Sequence, residues 1–222
     1  MGIRILSTKK LNVQQTERFH KAGIELLQSD FITTQPIDFL YNGNSDLLVF
    51  TSKNAVKSIV KSTFFSDVKN VPTVCVGHQT KELLENFGFT VLEAKNYAEE
   101  LADFILEKFS GKKITHFCGN IRRPLLREKL QENNFDFTEL IVYETVLSPH
   151  IIDNKVNGIL FFSPSGIQSY LQKNAFHQEI CFCIGNTTAD ALVIDKKQIQ
   201  ISQKQDIDAV VALAIEYFAD KI

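Results

Sequence analysis

LFFSPSGIQSYLQKNAFHQEICFCIGNTTADAL, residues 160–192, reads as strand, polar corner and helix, written twice. An apolar run at 159–162 ends abruptly in Ser163-Pro164-Ser165-Gly166, and a second at 180–184 ends in Gly185-Asn186-Thr187-Thr188. Short continuous apolar runs bounded by turn residues fit strands buried on both faces, as in a parallel sheet. Each corner then places hydroxyls and small residues where a buried strand gives way to a helix N-terminus. In open α/β sheets ligands sit outside the carboxyl ends of the strands. The first amides of a helix lack intrahelical acceptors there and attract anions.

The same grammar runs through the rest of the chain. Apolar runs at 3–6, 24–32, 47–50, 71–76, 89–92, 114–118, 135–145 and 199–201 are expected strands. Helices are predicted at about 13–22, after 51–54 to about 60, at 81–87, 98–109, 124–132 and 208–219, with 3.6-residue spacing clearest in 98–109. Strands alternating with helices argue for α/β architecture with parallel sheets. Residues 33–45, which hold Pro36 and Gly43, and the Ser148-Pro149 step read as connections.

An internal repeat organises these elements. Residues 50–56, FTSKNAV, parallel 161–167, FFSPSGI, and Cys75-Val76-Gly77 with Thr80 parallels Cys183-Ile184-Gly185 with Thr188. The middle unit continues with a further strand–helix–strand at 114–145, which the C-terminal unit lacks. Residues 3–32 are a strand–helix–strand with no other home. The expectation is two similar five-stranded lobes of α/β class, each a parallel sheet flanked by helices. One is continuous (46–143) and one is discontinuous (1–34 with 150–222). Residues 35–45 and 144–149 would join them as a two-stranded hinge, and the polar corners would border a cleft.

Composition narrows the partners. With 44% hydrophobic and 23% charged residues and a net charge of −2, the chain has no broad basic surface, so no nucleic-acid partner is expected. No apolar run approaches the ~20 residues of a membrane span. The start, MGIRILSTKK, shows no signal-peptide pattern, and Leu6 stands where myristoylation needs Ser or Thr. Cys75, Cys118, Cys181 and Cys183 lie in apolar runs without a CxxC pair, so reduced thiols in a cytoplasmic protein are expected.

Phosphate and nucleophile motifs are absent: no GxGxxG at a strand–helix corner, no GxxxxGK[ST], no GxSxG. The five histidines form no helical i, i+4 pair. His116 and Cys118 share a strand face but lack further partners at metal spacing, so neither a metal nor a cofactor is expected.

Any single Ser, Thr or Asn before a helix is expected to be a cap sooner than a ligand. Six corners with the same chemistry point further, to a ligand whose carboxylates are held by hydroxyls and backbone amides. They are Thr51/Ser52, Gly77/Thr80 and Gly119/Asn120 in one lobe, and Thr8/Lys9, Ser163/Ser165 and Thr187/Thr188 beside Gly185 in the other. Lys9, Lys10, Arg122, Arg123 and Arg127 add local charge or form solvated helix starts. Tyr143 either fills the core at a strand end or offers its hydroxyl to a leaving group.

At these corners the chain resembles the uroporphyrinogen-III synthase family along nearly its whole length. The shared pieces are 50–56, Val76-Gly77 with Thr80, Gly88, Val142-Tyr143-Glu144-Thr145, 161–166 and 184–189. The resemblance implies two α/β lobes with the N-terminal segment completing the C-terminal one. It also implies the cofactor-free closure of hydroxymethylbilane to uroporphyrinogen III, with loss of water and inversion of ring D. Tyr143 would then assist the departing hydroxyl. Thr51, Ser52, Gly77, Thr80, Gly119, Ser163, Ser165, Gly185, Thr187 and Thr188 would hold the substrate, and the protein would act as a monomer. Where many relatives carry Arg-Pro after the first strand, this chain has Lys9-Lys10, which keeps the charge but loses the bidentate fork. The rival expectation is a non-catalytic two-lobed binding protein for a small polycarboxylate.

Overall fold

The computed structural model describes residues 2–219. Met1 and residues 220–222, which the expected discontinuous lobe includes, lie outside the described residues. The chain begins with β1 (Arg4–Ser7), α1 (Val13–Lys21), β2 (Glu25–Gln28) and β3 (Ile32–Pro36). It continues through β4 (Leu47–Phe50), α2 (Lys53–Lys61), a single turn α3 (Phe65–Val68), β5 (Thr73–Val76), α4 (His78–Asn86) and β6 (Val91–Lys95). Next come α5 (Ala98–Lys108), β7 (Lys113–Gly119), α6 (Leu125–Glu132) and β8 (Asp136–Leu147). The last stretch holds β9 (Gly158–Phe161), α7 (Pro164–Leu171), β10 (Ile180–Cys183), α8 (Asn186–Ala189), β11 (Ile199–Ile201) and α9 (Ile207–Ala219).

The chain divides into two compact units, one of residues 34–145 and one of residues 1–33 with 146–222. The discontinuous unit carries a five-stranded sheet in the order β11-β10-β9-β1-β2, and the other a six-stranded sheet in the order β3-β8-β7-β4-β5-β6. Every pair within β4–β8, and every pair in the five-stranded sheet, is parallel. Counting strands within each unit from β4 and from β9, both sheets have the order 3-2-1-4-5. The segment β1–α1–β2 therefore occupies the place that β7–α6–β8 holds in the continuous unit. The α/β class and the discontinuous lobe expected from the repeat are what the chain forms. Both passages of the chain between units fall inside β3 and β8, which are neighbours in the six-stranded sheet.

Burial on both faces accounts for the unbroken apolar runs, since all four residues of β4 and of β9 are buried. Side-chain alternation sends Leu48 and Phe50 to one core with Ala55, Val56 and Ile59 of α2, and Leu47 and Val49 to the other with Leu101 and Ile105 of α5. The discontinuous unit repeats the arrangement. Leu6, Ile159 and Phe161 meet Ile167 and Tyr170 of α7, while Ile5 and Leu160 meet Phe19 of α1 and Val210, Val211 and Phe218 of α9. Helix α1 starts at a capping box between Asn12 and Gln15.

Three elements differ locally from the sequence reading. Residues 24–32 break at 29–31, where the Ser29 amide bonds Ser7 and the Phe31 amide bonds Thr8, so two strands replace one. Residues 33–45 hold more than a connection: Thr33–Pro36 belong to β3, and Tyr41 is buried against Phe64 and Phe117. Helix α8 is one turn where its counterpart α4 runs nine residues. The four cysteines are free and buried, and burial pushes the Cys75, Cys118 and Cys183 thiols up to about 12, the mark of unreactive core sulfur. Among the described residues no helix is long and apolar enough to cross a membrane.

Leu6 is fully buried on a strand contributed by the N-terminal segment, against residues from the C-terminal half. Leu6→Ala is expected to destabilise the protein by ~2–5 kcal/mol, read as a lower urea midpoint at unchanged m-value. A shift within error would mean that residues 2–28 are not integral to that core.

Candidate active site

Strand order reverses between β4 and β7 in the continuous unit and between β9 and β1 in the discontinuous one. At such a switch point adjacent connections leave toward opposite faces and open a crevice at the carboxyl edge. The expected site residues can be placed against these two points, each within its own unit.

In the continuous unit Thr51 and Ser52 follow β4, and Gly119 closes β7. Ser52 is extended (φ −152°, ψ 137°), and its Oγ accepts the Asn54 amide at 3.1 Å as the cap of α2. The same Oγ accepts the Tyr143 hydroxyl at 3.1 Å. A register shift at Cys118/Gly119 sets Gly119 opposite Tyr143, and a Cβ added at Gly119 would lie 2.5 Å from Tyr143 Cζ. Only a glycine lets the phenol ring rest on this strand end. Asn120 fastens the corner to β8: its amide donates to Tyr143 O, and its Oδ1 accepts the Thr145 amide at 2.8 Å. Tyr143 is 8% exposed, and burial lifts its phenol above the ordinary value against the opposing Ser52 bond. It therefore stays protonated, as a donor must.

A cavity of about 110 Å³ adjoins Tyr143, lined by Gln35, Asn54, Ser58 and the exposed Lys57 and Lys61, one turn apart on α2. A larger cavity of about 280 Å³ lies at the amino ends of β7 and β8, beside Lys113 and Asp136. It opens at the wrong edge of the sheet for the corner residues.

One strand further out, Gly77 precedes α4 at φ 88°, a conformation that favours glycine, and the buried Thr80 donates its amide to Gly77 O. No side chain caps α4, so the capping explanation does not cover Thr80.

In the discontinuous unit Ser163 matches Ser52: extended, with Oγ accepting the Gly166 amide at 3.2 Å and lying 3.0 Å from Ser165 Oγ. Thr8, across the switch point, donates Oγ1–H to Leu160 O at 2.7 Å. Gly185 is extended at φ 177°, Thr187 is exposed, Thr188 is 2% exposed, and α8 likewise has no side-chain cap. Lys9 and Lys10 are exposed. The structure thus gathers Thr51, Ser52, Gly77, Thr80, Gly119 and Tyr143 on one carboxyl edge. Ser163, Ser165, Gly185, Thr187 and Thr188 lie on the corresponding edge of the other sheet.

Sequence reasoning missed Glu139. Its side chain, 8% exposed, lies on β8, and its carboxylate pairs with Arg122 Nη2 at 2.6 Å, with Arg127 at 3.9 Å and with His116 Nδ1 at 3.3 Å. His116 Nε2 faces Thr51 Oγ1 at 3.0 Å. Arg122 is therefore an ion-pair partner, where a solvated helix start was the simpler expectation. The available signal was register: Glu139 shares a strand face with the buried Phe137. His116, Cys118 and Glu139 bring donor atoms within 4.8 Å of one another. Arg122 already neutralises the carboxylate and burial keeps the Cys118 thiol protonated, so the donor set is poorly suited to a cation.

The family model for uroporphyrinogen-III synthase HemD matches residues 14–212 of the chain. Among solved structures, a uroporphyrinogen-III synthetase from Helicobacter pylori 26695 superposes with a TM-score of 0.72 at 21% identity, covering 97% of this chain and 99% of that one. A mutant uroporphyrinogen III synthase from the extremely thermophilic bacterium Thermus thermophilus gives 0.68 at 12% identity, covering 99% and 100%. At such identity the structures speak for the fold.

Burial opposes ionisation of Glu139, but hydrogen bonds with His116 and Arg122 and the guanidinium charge outweigh it and hold the carboxyl at about 2, below the ordinary 4.5. A folded-state value below the unfolded one means stability that is complete above pH 4.5 and lost as the pH falls through about 2. Glu139→Gln is expected to be less stable than the parent at neutral pH, with the gap narrowing between pH 4.5 and 2 in urea titrations. A constant gap would show that the carboxylate charge is not what the pocket stabilises.

Proposed function

Because the chain belongs to the uroporphyrinogen-III synthase HemD family, we propose that it closes hydroxymethylbilane to uroporphyrinogen III, with loss of water and inversion of ring D. The observation that carries this reading is the protonated phenol of Tyr143, held at the carboxyl edge by Ser52 and seated on Gly119.

The chemistry asked of the protein is modest, because the bilane is already reactive. The C–O bond of the hydroxymethyl group breaks as the Tyr143 hydroxyl gives its proton, so that water and not hydroxide departs. The cation left on ring A is attacked by ring D. The proton displaced from the ring carbon at closure returns to the phenolate, and the net loss is one water. Spontaneous closure gives the uninverted isomer, so the larger task is holding ring D in the approach that leads to inversion.

Positioning of that kind uses the substrate's acetate and propionate carboxylates. Ser52, Gly77, Thr80 and Gly119 are the proposed carboxylate ligands on the edge of one sheet, and Ser163, Ser165, Gly185, Thr187 and Thr188 those on the edge of the other. Lys57 and Lys61, beside the Tyr143 cavity, supply charge of the matching sign. The first step needs neither metal nor cofactor as a reactant.

Tyr143→Phe is expected to lower turnover by roughly 10²-fold, the lower end of what a positioned proton donor supplies, with the fold retained. Unchanged turnover would remove Tyr143 from the reaction. Thr188→Val is expected to weaken substrate binding by ~1–3 kcal/mol, the cost of leaving a desolvated carboxylate oxygen unpaired; an effect on melting temperature alone would make Thr188 structural. The deciding assay supplies hydroxymethylbilane and resolves the uroporphyrinogen isomers. Binding accompanied only by the spontaneous type I isomer would establish a carboxylate-binding protein instead.

A further inference from the structure

Glu139 does more than neutralise an arginine, because both of its oxygens are used and both contacts lead to the seat of Tyr143. One oxygen lies 3.3 Å from His116 Nδ1, and His116 Nε2 lies 3.0 Å from Thr51 Oγ1. Thr51 is the chain neighbour of Ser52, the acceptor of the Tyr143 hydroxyl. The other oxygen takes Arg122 Nη2 at 2.6 Å, while Nη1 of the same guanidinium donates to Gly119 O at 3.2 Å. Gly119 is the residue on which the Tyr143 ring rests.

One carboxylate thus ties down both strand ends that flank the β4/β7 switch point. An apolar side chain at 139 would fill the space without the desolvation penalty that an ion pair carries. What packing alone does not provide is direction: a planar fork and a planar ring each have one productive orientation. With Nδ1–H donating to Glu139, His116 Nε2 accepts the Thr51 hydroxyl proton, so that hydroxyl is committed inward. We infer that Glu139, with His116, Arg122 and Thr51, is a positioning relay that sets the place and aim of the Tyr143 phenol, and that Thr51 serves this relay and not the substrate. The inference rests on the synthase reading for its consequence in turnover but not for its geometry.

The test uses the full chain labelled with 13Cζ-tyrosine. Its five tyrosines give few resonances, and Tyr143→Phe identifies the one that matters. Glu139→Gln is expected to move the Tyr143 resonance. It should also lower kcat for uroporphyrinogen III by roughly 10- to 100-fold, the scale of a small misplacement of a reacting group, with KM nearly unchanged. Arg122→Lys keeps the charge beside Glu139 but loses the fork to Gly119, so it should shift the same resonance less and remain folded even where Glu139→Gln does not. Asp103→Asn, which breaks the Lys129–Asp103 pair in the same unit, should leave both readouts unchanged. A Tyr143 resonance unmoved in folded Glu139→Gln or Arg122→Lys would overturn the relay. A parent protein that yields only the type I isomer while the resonance still moves would overturn the synthase reading and leave the positioning in place.

Discussion

Parallel pairing makes β4 to β8 in one unit, and all five strands of the other sheet, end on the same edge, because each return crossing must be made by a helix packed on one face or the other. From this constraint the rest of the architecture follows. The central strands β4 and β9 are covered on both faces and are apolar throughout, so the polar chemistry beside them falls at their corners. The corners in turn are concentrated on one edge. The reversal of strand order between β4 and β7, and again between β9 and β1, opens that edge at one place in each unit. Ser52 and Ser163 stand at corresponding positions and do the same local work, each capping the helix that follows.

The two corners are not equivalent in what surrounds them. Around Ser163 the neighbours are hydroxyls: Ser165, and Thr8 spent on the Leu160 carbonyl. Around Ser52 there is a phenol above and, through Thr51, a buried charge network below. A duplicated frame thus carries hydroxyls alone at one corner and a phenol backed by an ion-pair network at the other. The cost of burying Glu139 falls on the unit that carries Tyr143.

The sequence by itself determined the α/β class, the repeat, and the assignment of the first strands to the C-terminal half. Each rests on local signals: continuous apolar runs, small polar corners, and a missing strand–helix–strand that only residues 3–32 could supply. It also marked Tyr143 and the hydroxyl corners, since a Ser or Thr after a buried strand is visible in one dimension. Whether such a residue caps a helix was not visible. The structure divides them, with Ser52 and Ser163 as caps, and with Thr80 and Thr188 buried at helix starts that have no side-chain cap. Tertiary structure alone decided the network, because His116, Arg122 and Glu139 meet only through the register of β7 on β8 and the turn that follows it. Charge pairing across strands depends on register, and a single-residue slip would send Glu139 to the other face. That is why the partners of the glutamate paired with His116 and Arg122 are not legible in the sequence, whereas the phenol at the strand end is.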